Sequence, residues 1–179
     1  KEFKNHTFVV CAYKQSEYLE ECIQSLKKQN VQSNIIISTS TPNEYITNIA
    51  KKYDLPVYIN EGKKGIGKDW NFGISKIETD YVTIAHQDDV YKPNYLEEIV
   101  KNIEKGNDFV IAFTDYREIK NGKEIDLTTN LKIKKALLLP LRFFKKSKFW
   151  KKRALSLGCS ICCPSVTINT KITGKSPYK

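Results

Sequence analysis

Residues 81–96 run Tyr81-Val-Thr-Ile-Ala-His-Gln-Asp-Asp-Val-Tyr-Lys-Pro-Asn-Tyr-Leu96. Tyr81 to Ala85 is nearly continuous in apolar and β-favouring residues, which predicts a buried strand. Pro93 suits the first turn of a helix, with Leu96, Ile99, Val100 and Ile103 turned inward. Between strand and helix stands His86-Gln87-Asp88-Asp89. Reading upstream, residues 7–13 and Ile35-Ile36-Ile37 give two more apolar strands, and Pro56 to Ile59 a third. Helical spacing separates them. Tyr18, Leu19, Cys22, Ile23 and Leu26 share one face, and Tyr45, Ile46, Ile49, Ala50 and Tyr53 another. Thr41 is expected to cap that second helix, with Pro42 at its first position and Glu44 completing a capping box. Gly65 to Ile77 reads as a third helix with Ile66, Trp70, Gly73, Ile74 and Ile77 inward, and Asp108 to Thr114 as a fifth strand. The order β-α-β-α-β-α-β-α-β predicts an α/β fold, a mostly parallel sheet with helices on both faces. Such sheets bind ligands beyond the carboxyl ends of their strands, so the loops after residues 13, 39, 60 and 85 are the ones to inspect.

After Asn121-Gly122, a hairpin signal, the pattern changes. Residues 131–157 are basic, apolar and expected to be helical, interrupted at Pro140, and Ile161 to Ile168 reads as one more strand. Charge divides the chain at the same place. The 179 residues carry a net charge of +10, yet residues 1–126 hold all 20 acidic side chains and are slightly negative. Residues 127–179 hold 13 basic side chains and no acidic ones. We therefore expect an α/β core at 1–126 and a basic, partly helical segment at 127–179, truncated and part of the same domain.

With 40% hydrophobic and 28% charged residues, the chain has the composition of a globular protein and not a disordered one. Its longest apolar run, Ala136 to Leu141, is too short to span a bilayer. No apolar stretch near the start resembles a signal peptide, and Met is absent, so the chain is expected to be a piece of a longer or trimmed protein. The five cysteines are Cys11, Cys22, Cys159, Cys162 and Cys163. An odd number without a secretory signal points to a reducing compartment and buried structural thiols. The C-x-x-C spacing of Cys159 and Cys162 leaves zinc or redox chemistry as the other reading.

Adjacent carboxylates at a strand's carboxyl end suit Mg2+ or Mn2+ bridged to phosphates, or else a solvated turn whose charge favours the next helix N-terminus. Gly62-Lys-Lys-Gly-Ile-Gly-Lys68 resembles a phosphate cradle without the spacing of a P-loop, and reads equally as a solvated basic loop.

The chain resembles the nucleotide-binding half of GT-A glycosyltransferases of family 2 at four places. Phe8-Val-Val-Cys-Ala-Tyr-Lys14 followed by Tyr18-Leu-Glu-Glu-Cys-Ile-Gln-Ser-Leu26 is similar to "V-V-I-P-x-Y-N" and "Y-L-x-x-x-I-x-S-L". Asn60-Glu61-Gly62 with Gly65 to Ile74 is similar to "G-x-x-x-A-R-N-x-G-I", with Trp70 in place of Arg. Residues 81–96 are similar to "Y-I-x-F-L-D-x-D-D-x-x-x-P-x-x-L", with His86 in place of the first Asp. Phe113-Thr-Asp-Tyr116 and Cys163-Pro-Ser-Val166 give a weaker fourth match.

The resemblance implies an enzyme that moves a hexose from a nucleotide-diphospho-sugar donor to an acceptor with inversion, assisted by Mg2+ or Mn2+. It implies Asp88 and Asp89 as metal ligands, with Asp88 alternatively on the ribose. Ala12 and Tyr13 would seat the base. Ser38 and Ser40 stand where the family has an acidic pair, Lys68 and Asn71 would contact the nucleotide or donor sugar, and His86 and Gln87 would face the donor. For Asn71 a local structural hydrogen bond is the alternative, and for His86 a metal ligand or a tolerated variant. The catalytic base is not identifiable; Asp115 is the acidic candidate on a late strand edge. A non-catalytic nucleotide-binding or interaction module on the same fold is the competing reading.

Residues 132–153 interleave ten Lys and Arg with Leu, Phe and Trp. That pattern suits an anionic membrane surface, or a helical segment that packs its apolar face on the core. Nucleic-acid binding is disfavoured, since it would leave the sheet motifs without a purpose. Lipid-linked or polysaccharide acceptors, common in bacterial members of the family, fit the membrane reading. The expected location is cytoplasmic, peripheral on the inner face of the plasma membrane.

Overall fold

The computed structural model describes residues 1–106, 109–120, 122–125, 128–144, 147–156 and 160–179, and of Arg142 the backbone only. Asp108, Asn121, Asp126, Lys145, Lys146 and Cys159, which figure in the expectations above, lie outside the described residues. Of the C-x-x-C pair, Cys159 therefore lies outside them, while Cys162 is described and half-buried.

Contacts divide the chain into two units, Lys1–Ala112 with Val166–Lys179, and Phe113–Ser165. The first holds β1 (Glu2–Ala12), α1 (Leu19–Lys27), β2 (Gln32–Thr39), α2 (Glu44–Tyr53), β3 (Val57–Ile59), α3 (Ile66–Ser75), β4 (Tyr81–His86) and α4 (Tyr95–Glu104). The sheet order is β3-β2-β1-β4-β8-β5, where β5 is Ile111–Phe113 and β8 is Val166–Asn169. β1 pairs in parallel with β2 and β4, and β2 with β3. β8 runs antiparallel to β4. This is the mostly parallel α/β sheet the sequence predicts.

Alternation along the strands feeds two cores. Phe8, Val10, Ile35, Ile37 and Ala85 face one side, where Leu19, Ile23, Ile46, Ile49, Leu96 and Ile99 of α1, α2 and α4 cover them. Val9, Ile36, Val82, Ile84 and Ile168 face the other and meet Ile74 and Ile77 at the α3 end. Both faces are thus sealed, which is why the strands read as unbroken apolar runs. Gly73 sits in the tightest contact: a Cβ there would lie 2.6 Å from Val9 Cγ1 and 3.3 Å from Ser38 Oγ.

Some local readings are corrected. Asn43, not Thr41, caps α2, its Oδ1 accepting from the Ile46 amide at 2.9 Å. Thr41 Oγ1 instead accepts the Lys14 amide at 2.6 Å. Tyr18 and Ile66, expected inward, are exposed at the helix starts: Tyr18 is the residue before α1 and Ile66 the first of α3.

The second unit contains the ribbon β6 (Ile119–Lys120) with β7 (Lys123–Glu124), α5 (Thr129–Phe143) and α6 (Lys148–Ser156). Thr128 caps α5 through the Leu131 amide. Pro140 lies inside α5 and does not interrupt it, contrary to expectation; its carbonyl accepts the Phe144 amide, and the helix ends there. The strand expected at 161–168 is shorter: Cys163–Ser165 forms a 3-10 turn before β8.

Candidate functional site

The carboxyl end of β4 is held from beneath by α1. The Cys22 thiol donates to the His86 carbonyl at 3.2 Å, and Ser25 Oγ accepts the Tyr91 amide at 3.0 Å. Gln29 spans the next turn, donating to the Lys92 carbonyl at 2.9 Å and accepting the Leu96 amide at 3.0 Å. Burial pushes the Cys22 thiol up and keeps it protonated, so it is a structural donor and not a nucleophile. Two buried side chains of α1, Cys22 and Ser25, and Gln29 just beyond its end thus fix the backbone of residues 86–96 before any ligand arrives.

On that frame, His86, Asp88 and Asp89 gather ligand atoms within 4.8 Å of one another, a grouping of metal-ligating side chains found among the described residues. His86 Nδ1 stands 3.6 Å from Asp89 Oδ2. Burial pushes the Asp89 carboxyl above its ordinary value; His86 opposes this and the Asp88 charge adds to it. His86 Nε2 is buried and has no hydrogen-bond partner among the described residues. The ring nitrogen that faces the carboxylate is Nδ1, so an ion shared with Asp89 would be taken by Nδ1. One imidazole and two carboxylates form a nitrogen–oxygen donor set that fits Mn2+ well and Mg2+ through its oxygens. The residues present therefore fit a divalent cation.

The neighbouring strand ends complete the edge. Gln87 grips the Tyr13 backbone twice, accepting from its amide at 2.9 Å and donating to its carbonyl at 3.0 Å. Lys14 beyond it takes a left-handed backbone (φ 55°), and its ammonium lies over the Tyr13 ring. Tyr13 is left 54% exposed at the mouth of the edge, while Ala12 is buried beneath. Ser38 is buried against Gly73, and Ser40 Oγ donates to Asp69 Oδ2 at 3.2 Å.

Asp69 was not singled out by the sequence, yet it ties the edge together. Its carboxylate also accepts from Asn60 Nδ2 at 2.7 Å and from the Gly65 amide at 3.3 Å, where φ of +137° favours glycine. The one available signal was an acidic residue in the first turn of α3. Lys68 is exposed, as are Lys63 and Lys175, around an open depression that buried Asn60 also lines. Asn71 is engaged by the chain itself: its amide donates to the Tyr178 carbonyl at 2.5 Å and accepts the Tyr178 amide at 3.0 Å. Asp115 lies in the second unit, exposed and paired with Lys135 at 3.2 Å.

A mostly parallel α/β sheet with an acidic cluster at the end of a central strand defines a nucleotide-sugar-transferase type of architecture. Residues 7–168 match the model of glycosyl transferase family 2, and the chain belongs to that family. An uncharacterized glycosyltransferase of Haemophilus influenzae is 32% identical over 123 residues, 65% of this chain and 38% of that protein. Glycosyltransferase GlyG of Streptococcus pneumoniae is 34% identical over 112 residues, 58% of this chain and 37% of that protein. The chain thus spans well under half the length of these relatives. Among solved structures, Staphylococcus aureus TarS 1-349 in complex with UDP-GlcNAc superposes with a TM-score of 0.64 at 18% identity, covering 96% of this chain and 46% of that one. Glucosyl-3-phosphoglycerate synthase of Mycobacterium tuberculosis with Mn2+ and UDP-glucose gives 0.59 at 14% identity, covering 94% of this chain and 57% of that one. At these identities the likeness is one of fold.

Proposed function

We propose that this chain is the donor-binding portion of a metal-assisted glycosyltransferase that takes a nucleotide-diphospho-sugar. The observation that carries the reading is the His86–Asp88–Asp89 cluster, placed on a rigid strand end in a family 2 chain. Asp88, with Asp89 and His86, would hold a divalent cation. Such a cation supplies Lewis-acid neutralisation of a departing diphosphate. Tyr13 offers an exposed ring on which a base can stack, steadied by Gln87. Ser40 and Asp69 offer polar groups to the base or ribose, and Lys68 a cation to the phosphates. An acceptor oxygen attacks the anomeric carbon as the bond to the diphosphate breaks, inverting the centre, and the acceptor proton passes to a base. Asp115 is the acidic candidate the sequence offers for that base; in its own unit it pairs with Lys135.

Residues 1–126 are proposed as the donor core and 127–179 as an acceptor-side, membrane-proximal segment. Among the described residues no helix is long and apolar enough to cross a membrane. Phe143 (76%), Phe149 (67%), Phe144, Leu139, Ile133 and Leu155 are nevertheless exposed on α5 and α6, among many lysines. Exposed aromatic anchors beside basic groups favour peripheral binding to an anionic bilayer, which suits a lipid-linked or surface-glycan acceptor on the cytoplasmic side.

Thermal stability with a panel of nucleoside diphosphates, with and without Mn2+, tests the donor reading. A ligand bound only by the folded state raises its stability. A Mn2+-dependent rise with one nucleotide, lost in Asp88→Ala, is the expected result. No rise with any nucleotide at millimolar concentration favours a non-catalytic module instead.

A further inference from the structure

Two departures from the family pattern touch each other. Trp70 stands where the pattern has Arg, and His86 where it has the first Asp. Sixteen positions apart in sequence, their rings stack with centroids 5.3 Å apart and planes inclined by 22°. Trp70 is itself held. It packs against the apolar core under α3, and the Tyr178 ring meets it edge-on at 4.8 Å. Tyr178 in turn is fixed through its backbone by both ends of the Asn71 amide. One face of the imidazole therefore lies on a fixed indole, its Nδ1 faces Asp89, and its Nε2 is buried and unpartnered among the described residues.

We propose that Trp70 is a positioning residue for His86, and that the two substitutions form one compensating pair. An imidazole on a strand end can turn about two torsions, and a ligand that turns binds metal weakly. A stacked indole removes that freedom without competing for either ring nitrogen. An Arg at position 70 would instead place a cation against the imidazole, and an Asp at position 86 would leave the indole facing a carboxylate it cannot pair. Tyr178 supports the stack from behind, which gives the segment after α7 (Thr170–Thr173) a part in the site. This inference rests on the reading of His86 as a metal ligand proposed above.

The test combines two readouts on this chain and on Trp70→Ala, Trp70→Phe, Trp70→Arg, His86→Asp and the double variant W70R/H86D. Without metal, the His86 ring protons should resonate upfield in NMR, shifted by the indole, and return to ordinary positions in Trp70→Ala. With Mn2+ and UDP as probe, electron paramagnetic resonance measures metal affinity. Removing a group that orients a metal ligand typically costs 10–100-fold in affinity, so Trp70→Ala should weaken Mn2+ binding about tenfold and Trp70→Phe should keep most of it. Trp70→Arg and His86→Asp should each weaken binding, and the double variant should bind better than the product of the single losses predicts. Unshifted His86 protons, a Trp70→Ala affinity equal to that of the parent, or strictly additive losses would overturn the proposal. Asp88→Ala separates the two levels: if it leaves Mn2+ affinity intact, the metal reading fails, whereas the metal-free shift still reports on the stack alone.

Discussion

Gly73→Ala pits helix propensity against packing. Inside a helix Ala is favoured over Gly by roughly 0.5–1 kcal/mol. Here the new methyl would sit 2.6 Å from Val9 Cγ1, about 1 Å inside ordinary carbon–carbon contact, which is about 3.5–4.0 Å. Val9 is wholly buried in the central strand and is β-branched, so its side chain has little room to turn. Overpacking of this kind costs about 1–3 kcal/mol. The net expectation is a loss of about 1–2 kcal/mol, or roughly 2–8 °C in Tm for a domain of this size. Because α3 must ride outward, Trp70 and Asp69 move with it, and nucleotide binding should weaken beyond the loss of stability. Differential scanning calorimetry on Gly73→Ala, Val9→Ala and the double variant separates the causes. If the clash is the mechanism, Val9→Ala will cost less in the Gly73→Ala background than alone. A Gly73→Ala protein that melts higher than the parent, or additive losses in the double variant, would refute the reasoning.

Two further outcomes follow from the same packing. His6 is fully buried, with Nδ1 2.7 Å from Ser33 Oγ and Nε2 2.9 Å from Thr83 Oγ1, and burial pushes its imidazole down to about 3. The unfolded chain takes up a proton near pH 6.5 that the fold excludes, so stability should fall as pH drops from 6.5 toward 3; urea midpoints at pH 7 and pH 5 should show about 2 kcal/mol of extra loss that His6→Gln lacks. Asn43→Ala should cost about 1 kcal/mol of stability by removing the α2 cap, while Thr41→Val should leave α2 intact and loosen the Lys14 turn, read as faster amide exchange at Lys14.

The strands were legible because both sheet faces are buried. Ile35-Ile36-Ile37 and residues 7–13 carry the signal in their composition alone, and the acidic motif sits where a strand of that kind must end. Gly73 was legible as an inward position but not as a close approach, since that depends on Val9 of a distant strand. The α2 cap was misplaced by two residues because Thr41 and Asn43 are both competent caps, and the claim of Lys14 on Thr41 decides between them. Asp69 was missed because its three partners come from two separate loops, Ser40 after β2 and Asn60 and Gly65 between β3 and α3. The Asn71–Tyr178 clasp spans 107 positions and leaves no periodic trace. Ser25 and Gln29 are polar residues off the apolar stripe of α1, so nothing in the periodicity marks them; they are buried because they hold the segment that follows Asp88 and Asp89.

The central claim is that His86, Asp88 and Asp89 hold the cation of a nucleotide-sugar site. Crystals of this chain soaked with Mn2+ and UDP, measured at a wavelength where manganese scatters anomalously, test it most directly. The account predicts one strong anomalous peak within about 2.0–2.3 Å of an Asp88 carboxylate oxygen, with the diphosphate beside it. A well-occupied manganese elsewhere, with this cluster empty at saturating Mn2+ and UDP, would contradict it.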